Sequence, residues 1–125
     1  MFDLRFTKTH EWVKIEDDKA VVGITDYAQK ELGDLVFVEL PGVGEKVKQS
    51  LQFGTIESTK AASEVYAPLT GEVVETHKEL IDNPQWINES PYTKGWMIKI
   101  KIDNIAEVQN LLGETAYKEF VEKEK

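Results

Sequence analysis

The sequence predicts a mainly β protein, a small β-sandwich or flattened barrel with one short internal helix and further helices at its C-terminal end. Two observations support this class. Apolar and polar residues alternate in many short segments, and glycine or proline turns separate these segments. Helical spacing of apolar residues is concentrated near the C-terminus. The chain has 125 residues and no linker-like stretch, so we interpret residues 1–125 as a single domain.

The predicted strands rest on this alternation. In residues 96–102, one tryptophan and three isoleucines share one face and two lysines share the other, which is typical of a half-buried strand. Residues 35–40 are nearly all apolar and predict a more fully buried strand that ends at Pro41 and Gly42. The other predicted strands are residues 11–15, 20–24, 52–57, 64–67 and 71–76.

A short internal helix is predicted before Gly33, with Thr25 or Asp26 as its cap. Two more helices are predicted near the C-terminus, the first within residues 104–112 and the last with a frayed, charged end at residues 122–125. Their apolar faces consist of Ile105, Val108, Leu111 and Leu112 in the first helix and of Tyr117, Phe120 and Val121 in the last.

Composition argues against several classes of function. Fifteen basic and twenty-three acidic side chains give a net charge of −8, and so acidic a surface repels nucleic acids and anionic membranes. The chain contains no cysteine, which excludes disulfides, thiolate metal sites and thiol nucleophiles made by the chain itself. The N-terminus resembles neither a signal peptide nor a transit peptide, and no apolar run is long enough to span a membrane, so we expect a cytoplasmic protein.

The sequence offers little chemistry of its own. Its two histidines, His10 and His77, have no second ligand at metal-binding spacing, and we interpret both as surface or packing residues. Neither a G-x-S-x-G nucleophile motif nor a phosphate-binding loop is present. These observations indicate a protein that is not a self-sufficient enzyme.

One lysine has unusual surroundings. Lys60 lies in the segment ESTKAASEVYAP, between two predicted strands and next to Ala61, Ala62 and Ser63. A hairpin here would place Lys60 at its solvent-exposed tip. Such a lysine is either an ordinary solvated side chain or the attachment point of a prosthetic group, because a modifying enzyme needs a protruding lysine with small neighbours.

Five segments in a fixed order carry a family resemblance. They are THEWVK (9–14), VGITDYAQKELGDLVFVELPGVG (22–44), FGTIESTKAASEVYAPLTGEVVE (53–75), INESPYTKGWMIKIK (87–101) and LLG (111–113). On these segments the chain resembles the glycine cleavage H-protein family of lipoyl carriers, from about residue 6 to about residue 121. An E-S-x-K-A motif alone would be moderately specific, whereas five ordered segments are very specific.

The resemblance implies a barrel-sandwich hybrid fold of two β-sheets, like that of lipoyl domains, with lipoic acid in amide linkage to Lys60. It also implies a surface cleft that shields the loaded arm, with Thr9, Glu11 and Glu64 as its contacts. The family usually has aspartate at position 64, and Glu64 keeps the charge on a longer side chain. A carboxylate suits the cleft because the carried aminomethyl nitrogen is cationic.

The function implied by the resemblance is that of a carrier, not an enzyme. The lipoyl group would collect the aminomethyl group of glycine at a pyridoxal-phosphate decarboxylase (P protein). It would deliver this group to a tetrahydrofolate-dependent aminomethyltransferase (T protein) and pass electrons to dihydrolipoamide dehydrogenase (L protein). A lipoate-attaching enzyme would be the fourth partner. The net charge of −8 adds the hypothesis that acidic patches near the hairpin help these partners dock.

Two other kinds of carrier protein fit the sequence less well. A lipoyl domain of a 2-oxo acid dehydrogenase would be shorter, linked to other domains, and would commonly carry Asp-Lys-Ala where this chain has Thr59 before the lysine. A biotin carrier would flank its lysine with methionines, which Thr59 and Ala61 exclude. Two alternatives stay open at this point: an H-like relay that donates lipoyl groups to 2-oxo acid dehydrogenases, and an acidic interaction module with no prosthetic group.

Overall fold

The protein is mainly β, as the sequence predicts. The computed structural model describes residues 3–124, which form nine strands, four α-helices and one 3₁₀ helix. The strands are β1 (Asp3–Phe6), β2 (Glu11–Glu16), β3 (Lys19–Ile24), β4 (Leu35–Glu39), β5 (Lys46–Val47), β6 (Gln52–Ser58), β7 (Ala62–Tyr66), β8 (Gly71–Thr76) and β9 (Ile98–Ile102). The helices are α1 (Asp26–Leu32), α2 (Glu79–Asp82), α3 (Gln85–Glu89), the 3₁₀ helix (Ile105–Asn110) and α4 (Glu114–Glu124).

The strands form two antiparallel sheets that resemble a sandwich. The larger sheet has the order β1-β2-β3-β9-β8-β5, and the smaller has the order β4-β6-β7. Residues of the larger sheet such as Val22 and Ile100 make one buried cluster. Residues of the smaller sheet such as Ile56 and Val65 make a second cluster together with Leu80 and Ile87 from the short helices. Phe53 packs against both clusters and so joins them into one apolar interior.

The prediction that residues 35–40 form a fully buried strand is wrong. Leu35 and Val38 are buried, but Val36 is 56% exposed and Phe37 is 44% exposed. β4 is an edge strand of the smaller sheet, and its pairing with β6 shifts between Leu35 and Phe37. This β-bulge interrupts the alternation of side chains, so two successive apolar residues face solvent.

The helices follow the predictions in part. Thr25 caps α1 by accepting a hydrogen bond from the Ala28 amide, and Gly33 ends the helix at φ +86°. Within residues 104–112 the helix is a 3₁₀ helix and not an α-helix, it covers only Ile105–Asn110, and its first residue, Ile105, is 58% exposed. In α4, Tyr117 packs into the core as predicted, but the helix continues to Glu124 where the sequence predicts fraying. Lys125 of the predicted frayed end lies outside the described residues.

Four elements are absent from the sequence predictions: β1, β5, α2 and α3. All are short, and each is stabilised by a partner distant in sequence; β5, for example, pairs with β8. Among residues 3–124, no helix is long and apolar enough to cross a membrane.

Gly54 tests how closely the strands of the smaller sheet pack. A Cβ atom added at this position would lie 2.6 Å from the Glu39 carbonyl oxygen of the neighbouring strand. Because that atom belongs to the backbone, the strand must move to accommodate it. We expect Gly54→Ala to lower the free energy of unfolding by about 1–3 kcal/mol. Urea unfolding of the variant and the wild type measures this difference.

Gly42→Ala is the matched control for this prediction. Its added Cβ would meet only the end of the exposed Glu45 side chain, at 3.3 Å, and a shift of a few tenths of an ångström relieves this contact while Glu45 keeps its hydrogen bond from the Gly42 amide. The control should change stability by less than about 0.5 kcal/mol. Equal losses of stability in the two variants would show that the close approach of Gly54 to the Glu39 backbone does not set the cost of the substitution.

Candidate functional site: a lysine hairpin and a cleft with a buried carboxylate

Lys60 lies at the tip of the β6–β7 hairpin, as predicted, and is exposed to solvent. The loop is tight, since the Ser58 amide donates to the Ala61 carbonyl at 2.7 Å. The Ser58 hydroxyl oxygen also accepts hydrogen bonds from the amides of Lys60 (3.3 Å) and Ala61 (3.0 Å). Ala62, which the sequence places in the turn, already belongs to β7. Ser58 thus satisfies the backbone of the tip and leaves the lysine side chain outside.

The hairpin tip is attached to the region between α1 and β4. The Thr59 amide donates to the Asp34 carbonyl at 3.0 Å. The Lys60 side chain passes over Gly33, where an added Cβ would lie 3.4 Å from the lysine Cε. Asn88 of α3 fixes this region from below, because its side-chain amide donates to the Gly33 carbonyl and accepts from the Leu35 amide. The base of Lys60 therefore has a defined position.

A turn between β1 and β2 builds the second part of the site. The Thr7 amide donates to the Glu11 carbonyl and the His10 amide donates to the Thr7 carbonyl. His10 has φ +71°, a left-handed conformation that is uncommon for residues other than glycine. Thr9 lies exposed in this turn, while Glu11 begins β2 with only 2% of its surface exposed. The turn therefore directs a carboxylate inward.

The Glu11 carboxylate accepts hydrogen bonds from two elements. Its Oε1 accepts from the hydroxyls of Thr7 (2.6 Å) and Thr9 (2.5 Å), and its Oε2 accepts from the Tyr66 amide at 3.2 Å. Burial raises the pKa of Glu11 above its ordinary value of 4.5, although these hydrogen bonds oppose the shift. The result is a desolvated acid supported by donors from both sheets.

His10 connects the same turn to the C-terminal helix. Its Nδ1 lies 2.8 Å from the Tyr117 hydroxyl, which is itself 2.7 Å from the Thr25 hydroxyl. Its Nε2 lies 3.2 Å from the Glu124 carboxylate. Burial raises the pKa of Tyr117 to about 12, so this phenol keeps its proton at neutral pH. The prediction that His10 is a packing residue agrees with these contacts, which hold the turn in place.

A cleft of about 520 Å³ opens beside Glu11. Its walls come from the β1–β2 turn, the segment before β6, the end of β7 and the end of the 3₁₀ helix. The lining residues are Thr7, Lys8, Thr9, Glu11, Gln49, Ser50, Tyr66, Ala67, Pro68, Asn110, Leu111 and Leu112. The lining includes the apolar residues Ala67, Pro68, Leu111 and Leu112, so the cleft combines one buried carboxylate with an apolar surface.

Gln49 holds these walls together. Its side-chain amide donates to the carbonyls of Pro68 (2.9 Å) and Glu107 (3.1 Å) and accepts from the Asn110 side chain (3.0 Å). The Glu107 carboxylate in turn accepts two hydrogen bonds from Thr70, both at 2.8 Å. The 3₁₀ helix is thereby fixed against the end of β7, which sets the width of the cleft.

The structure brings together only some of the predicted site residues. Thr9 and Glu11 line the cleft and contact each other. Glu64 is exposed and does not line the cleft, but its carboxylate accepts a hydrogen bond from the Tyr66 hydroxyl at 2.6 Å, and this bond raises the pKa of Tyr66. Lys60 lies at the far end of β7 from Tyr66. β7 thus begins two residues after Lys60, carries Glu64 in its middle and ends at Tyr66, which lines the cleft.

Several cleft residues are absent from the sequence predictions. The sequence does indicate Tyr66 as a site residue, because Tyr66 lies two positions after Glu64 and so shares a face of β7 with it. Thr7 pairs with Thr9 in the same short turn, two positions apart. Gln49 and Asn110 carry no such signal, because they are 61 residues apart in sequence and meet only in the folded chain.

The chain is similar to the proteins of one known family. Residues 4–124 match the family described as Glycine cleavage H-protein. The chain belongs to the glycine cleavage H-protein family. The family resemblance noted in the sequence is therefore confirmed. The sandwich-like fold class is confirmed as well, and within residues 3–124 neither sheet closes into a barrel.

Individual members of the family are similar over nearly their whole length. A glycine cleavage system H protein of Xanthobacter autotrophicus is 55% identical over 122 residues, which cover 98% of both chains. One from Carboxydothermus hydrogenoformans is 51% identical over 122 residues, covering 98% of this chain and 94% of that protein. The crystal structure of an H protein from Mycobacterium marinum matches with a TM-score of 0.86 at 37% identity, covering 98% and 96% of the two chains.

The site contains no cluster suited to a metal ion. Within residues 3–124, no group of three or more histidine, cysteine, aspartate or glutamate side chains lies close enough together to hold one. His77, the second histidine, is 8% exposed and stacks on Trp96 with ring centroids 4.2 Å apart. The polar groups that distinguish the site are the Lys60 amine and the Glu11 carboxylate.

The raised pKa of Glu11 predicts a pH dependence of stability. The folded state keeps a proton on Glu11 at pH values where the unfolded chain has released it. Glu11 therefore lowers the free energy of unfolding as pH rises from 4.5 through the folded-state pKa. We expect Glu11→Gln to remove this pH-dependent loss of stability. The free energy of unfolding of the wild type should therefore fall relative to that of the variant as pH rises through this range. Urea unfolding of both proteins between pH 4.5 and about 8 measures it.

Glu89→Gln is the control, because Glu89 is an exposed acid on α3. Its curve should run parallel to that of the wild type. If the Glu11→Gln curve were parallel as well, the buried carboxylate would not titrate differently in the folded and unfolded states.

Proposed function

We propose that this chain is the lipoyl carrier of the glycine cleavage system, with residues 1–125 acting as one domain and Lys60 bearing the lipoyl group. The observation that carries the proposal is the exposed Lys60 at the tip of a rigid hairpin in a protein of this family. Bacterial relatives support a cytoplasmic location. The chain contains no cysteine, so sulfur redox chemistry would have to come from an attached group.

The surroundings of Lys60 fit such an attachment. Its amine makes no ion pair with any of residues 3–124, and its neighbours Ala61 and Ala62 are small and exposed. Amide formation joins the lysine Nζ to the carbonyl carbon of an activated lipoyl group. The activating group leaves, and the ammonium loses its protons to become a neutral amide. The tight loop presents Nζ to an enzyme without local unfolding.

The cleft fits the task of shielding a cationic load. When bound, the lipoyl group would supply a disulfide that accepts the aminomethyl group of glycine as its S–S bond is reduced, and the dithiol left after release of that group would be reoxidised. The Glu11 carboxylate would pair with the cationic nitrogen, and Thr9 would hold that carboxylate in position. Glu64 would act from outside the cleft lining, on β7, which begins two residues after Lys60. The apolar wall of Ala67 and Leu111 would exclude water.

The proposed partners follow from this carrier role. The chain would visit the pyridoxal-phosphate glycine decarboxylase, the tetrahydrofolate-dependent aminomethyltransferase and dihydrolipoamide dehydrogenase, after a lipoate-attaching enzyme has modified Lys60. The residues that line the cleft include one buried acid and neither a paired nucleophile and base nor a metal cluster within residues 3–124. These features support a carrier that shields and presents a group while its partners carry out the reactions.

Lys60→Arg tests the attachment site. Arginine keeps a positive charge at the exposed tip but cannot form the lipoyl amide. We expect a folded protein with an unchanged unfolding midpoint, no lipoyl adduct in its intact mass after incubation with a lipoate-attaching enzyme, and no support of glycine decarboxylation. Lys94→Arg, at another exposed lysine, is the control and should be modified normally. A lipoyl adduct on Lys60→Arg would place the attachment elsewhere.

Glu11→Gln tests the shielding role. A hydrogen bond to a charged group contributes about 1.5–3 kcal/mol, and each 1.4 kcal/mol corresponds to a factor of ten in rate. We therefore expect purified, loaded Glu11→Gln to release its one-carbon unit about 10–100 times faster than wild type. Formaldehyde release in buffer, without the aminomethyltransferase, is the measurement. Glu89→Gln should behave like wild type, and identical rates for all three proteins would remove Glu11 from the shielding site.

A further inference from the structure

The smaller sheet exposes an aromatic side chain close to Lys60. The bulge in β4 turns both Val36 and Phe37 to solvent, at 56% and 44% exposure. Directly paired residues of antiparallel strands have their side chains on the same face of the sheet. Phe37 pairs with Glu57, and Glu57 pairs with Ala62. Phe37 therefore lies on the outer face of the sheet, in the same cross-strand row as Glu57 and Ala62 of the lysine hairpin.

Carboxylates surround this aromatic residue. In the neighbouring row, Glu39 pairs with Thr55, and Thr55 pairs with Glu64. The outer face thus presents Glu57 and Glu39 beside Phe37 and Glu64 two strands away on β7, and all three acids are exposed. None of them forms an ion pair with any of residues 3–124. We call the surface formed by Val36, Phe37, Glu39, Glu57 and Glu64 the Phe37 face.

The fold itself gains little from this arrangement. Like charges on adjacent strands repel each other, and an exposed phenylalanine forfeits the free energy of burial. An apolar centre with a charged rim is, however, the composition of a protein-binding surface. Because the rim has a single sign, the matching surface must combine an apolar pocket with lysine or arginine side chains.

The Phe37 face lies within reach of any enzyme that acts on Lys60. Glu57 lies next to the last residue of β6, so only Ser58 and Thr59 separate it from Lys60. The hydrogen bond from the Thr59 amide to the Asp34 carbonyl also joins the hairpin tip to the start of β4. The face and the lysine therefore move as one unit.

We propose that the Phe37 face is the docking surface for the enzyme that acylates Lys60. This inference rests on the proposed function, since it requires that Lys60 be modified. Before acylation the chain has no prosthetic arm by which an enzyme could recognise it, so recognition must come from the protein surface near the lysine. The reaction forms the amide bond between Nζ and the lipoyl carbonyl carbon, expels the activating group and releases protons. The partner presents a basic surface with an apolar pocket for Phe37.

Acylation kinetics of the unmodified chain test the proposal. A lipoate–protein ligase with lipoate and ATP is the probe, and intact mass follows the lipoyl adduct. We expect Phe37→Ser to lower kcat/KM at least about tenfold, because a central aromatic residue dominates the affinity of such surfaces. Val74→Ser is the matched control: Val74 is 39% exposed on β8 of the other sheet, and its replacement should leave kcat/KM unchanged.

A second variant tests the charged rim independently of packing. Glu39→Lys should also lower kcat/KM, and the reaction of wild type should slow as salt is added while that of Glu39→Lys becomes less salt-dependent. Unfolding midpoints equal to that of wild type establish that both variants are folded; should Phe37→Ser not fold, Glu39→Lys alone decides.

Three outcomes overturn the inference. If wild type is acylated on Lys60 and both folded variants react at the same rate, the Phe37 face does not bind the acylating enzyme while the proposed function stands. If acylation is unchanged but the acylated variants lose transfer from the decarboxylase, the face belongs to that partner. If wild type is not acylated at Lys60, the proposed function fails and this inference fails with it.

Discussion

The Glu11 carboxylate is the interaction on which the rest of the site depends. A buried charge costs several kcal/mol unless donors replace the water it has lost. Here the donors come from both sheets: the hydroxyls of Thr7 and Thr9 belong to the β1–β2 turn, and the Tyr66 amide belongs to the end of β7. The two sheets cannot separate at this point without breaking the hydrogen bond from the Tyr66 amide to this carboxylate. The same bonds leave the acid beside an open cleft, so one requirement fixes both the join between the sheets and the chemistry of the cleft.

The two sheets contribute differently to function. The larger sheet provides the β1–β2 turn, which α4 secures through the contact of Tyr117 with His10. The smaller sheet provides the hairpin that presents Lys60, and its exposed edge provides the Phe37 face. β7 connects these regions because it begins at the hairpin tip and ends at Tyr66, where the Glu11 carboxylate accepts its amide hydrogen bond. The hairpin tip with Lys60 and the cleft beside Glu11 therefore lie at opposite ends of this strand.

Local patterns in the sequence were enough to predict much of this fold. Alternation located most strands, Thr25 and Gly33 marked the first helix, and the predicted strands on either side of Lys60 indicated an exposed hairpin tip. The failures share a cause, since they depend on partners distant in sequence. Residues 36 and 37 are exposed because the bulge arises only when β4 pairs with β6. The burial of Glu11 depends on Tyr66, 55 positions later. The cleft walls that Gln49 holds together likewise form only when the 3₁₀ helix packs against the end of β7.

The hydrogen bonds that anchor the hairpin tip have a consequence for the kinetics of a tethered group. Because Ser58 and Asp34 fix the backbone at Thr59 and Lys60, motion of a group attached to the lysine is limited to the side chain and the group itself. A short tether confines its end to a small volume, which corresponds to an effective concentration on the order of millimolar at any point it can reach. A mobile loop at the same place would enlarge that volume and dilute the group. Fixing the anchor thus speeds the search for the cleft without any additional contact to the group.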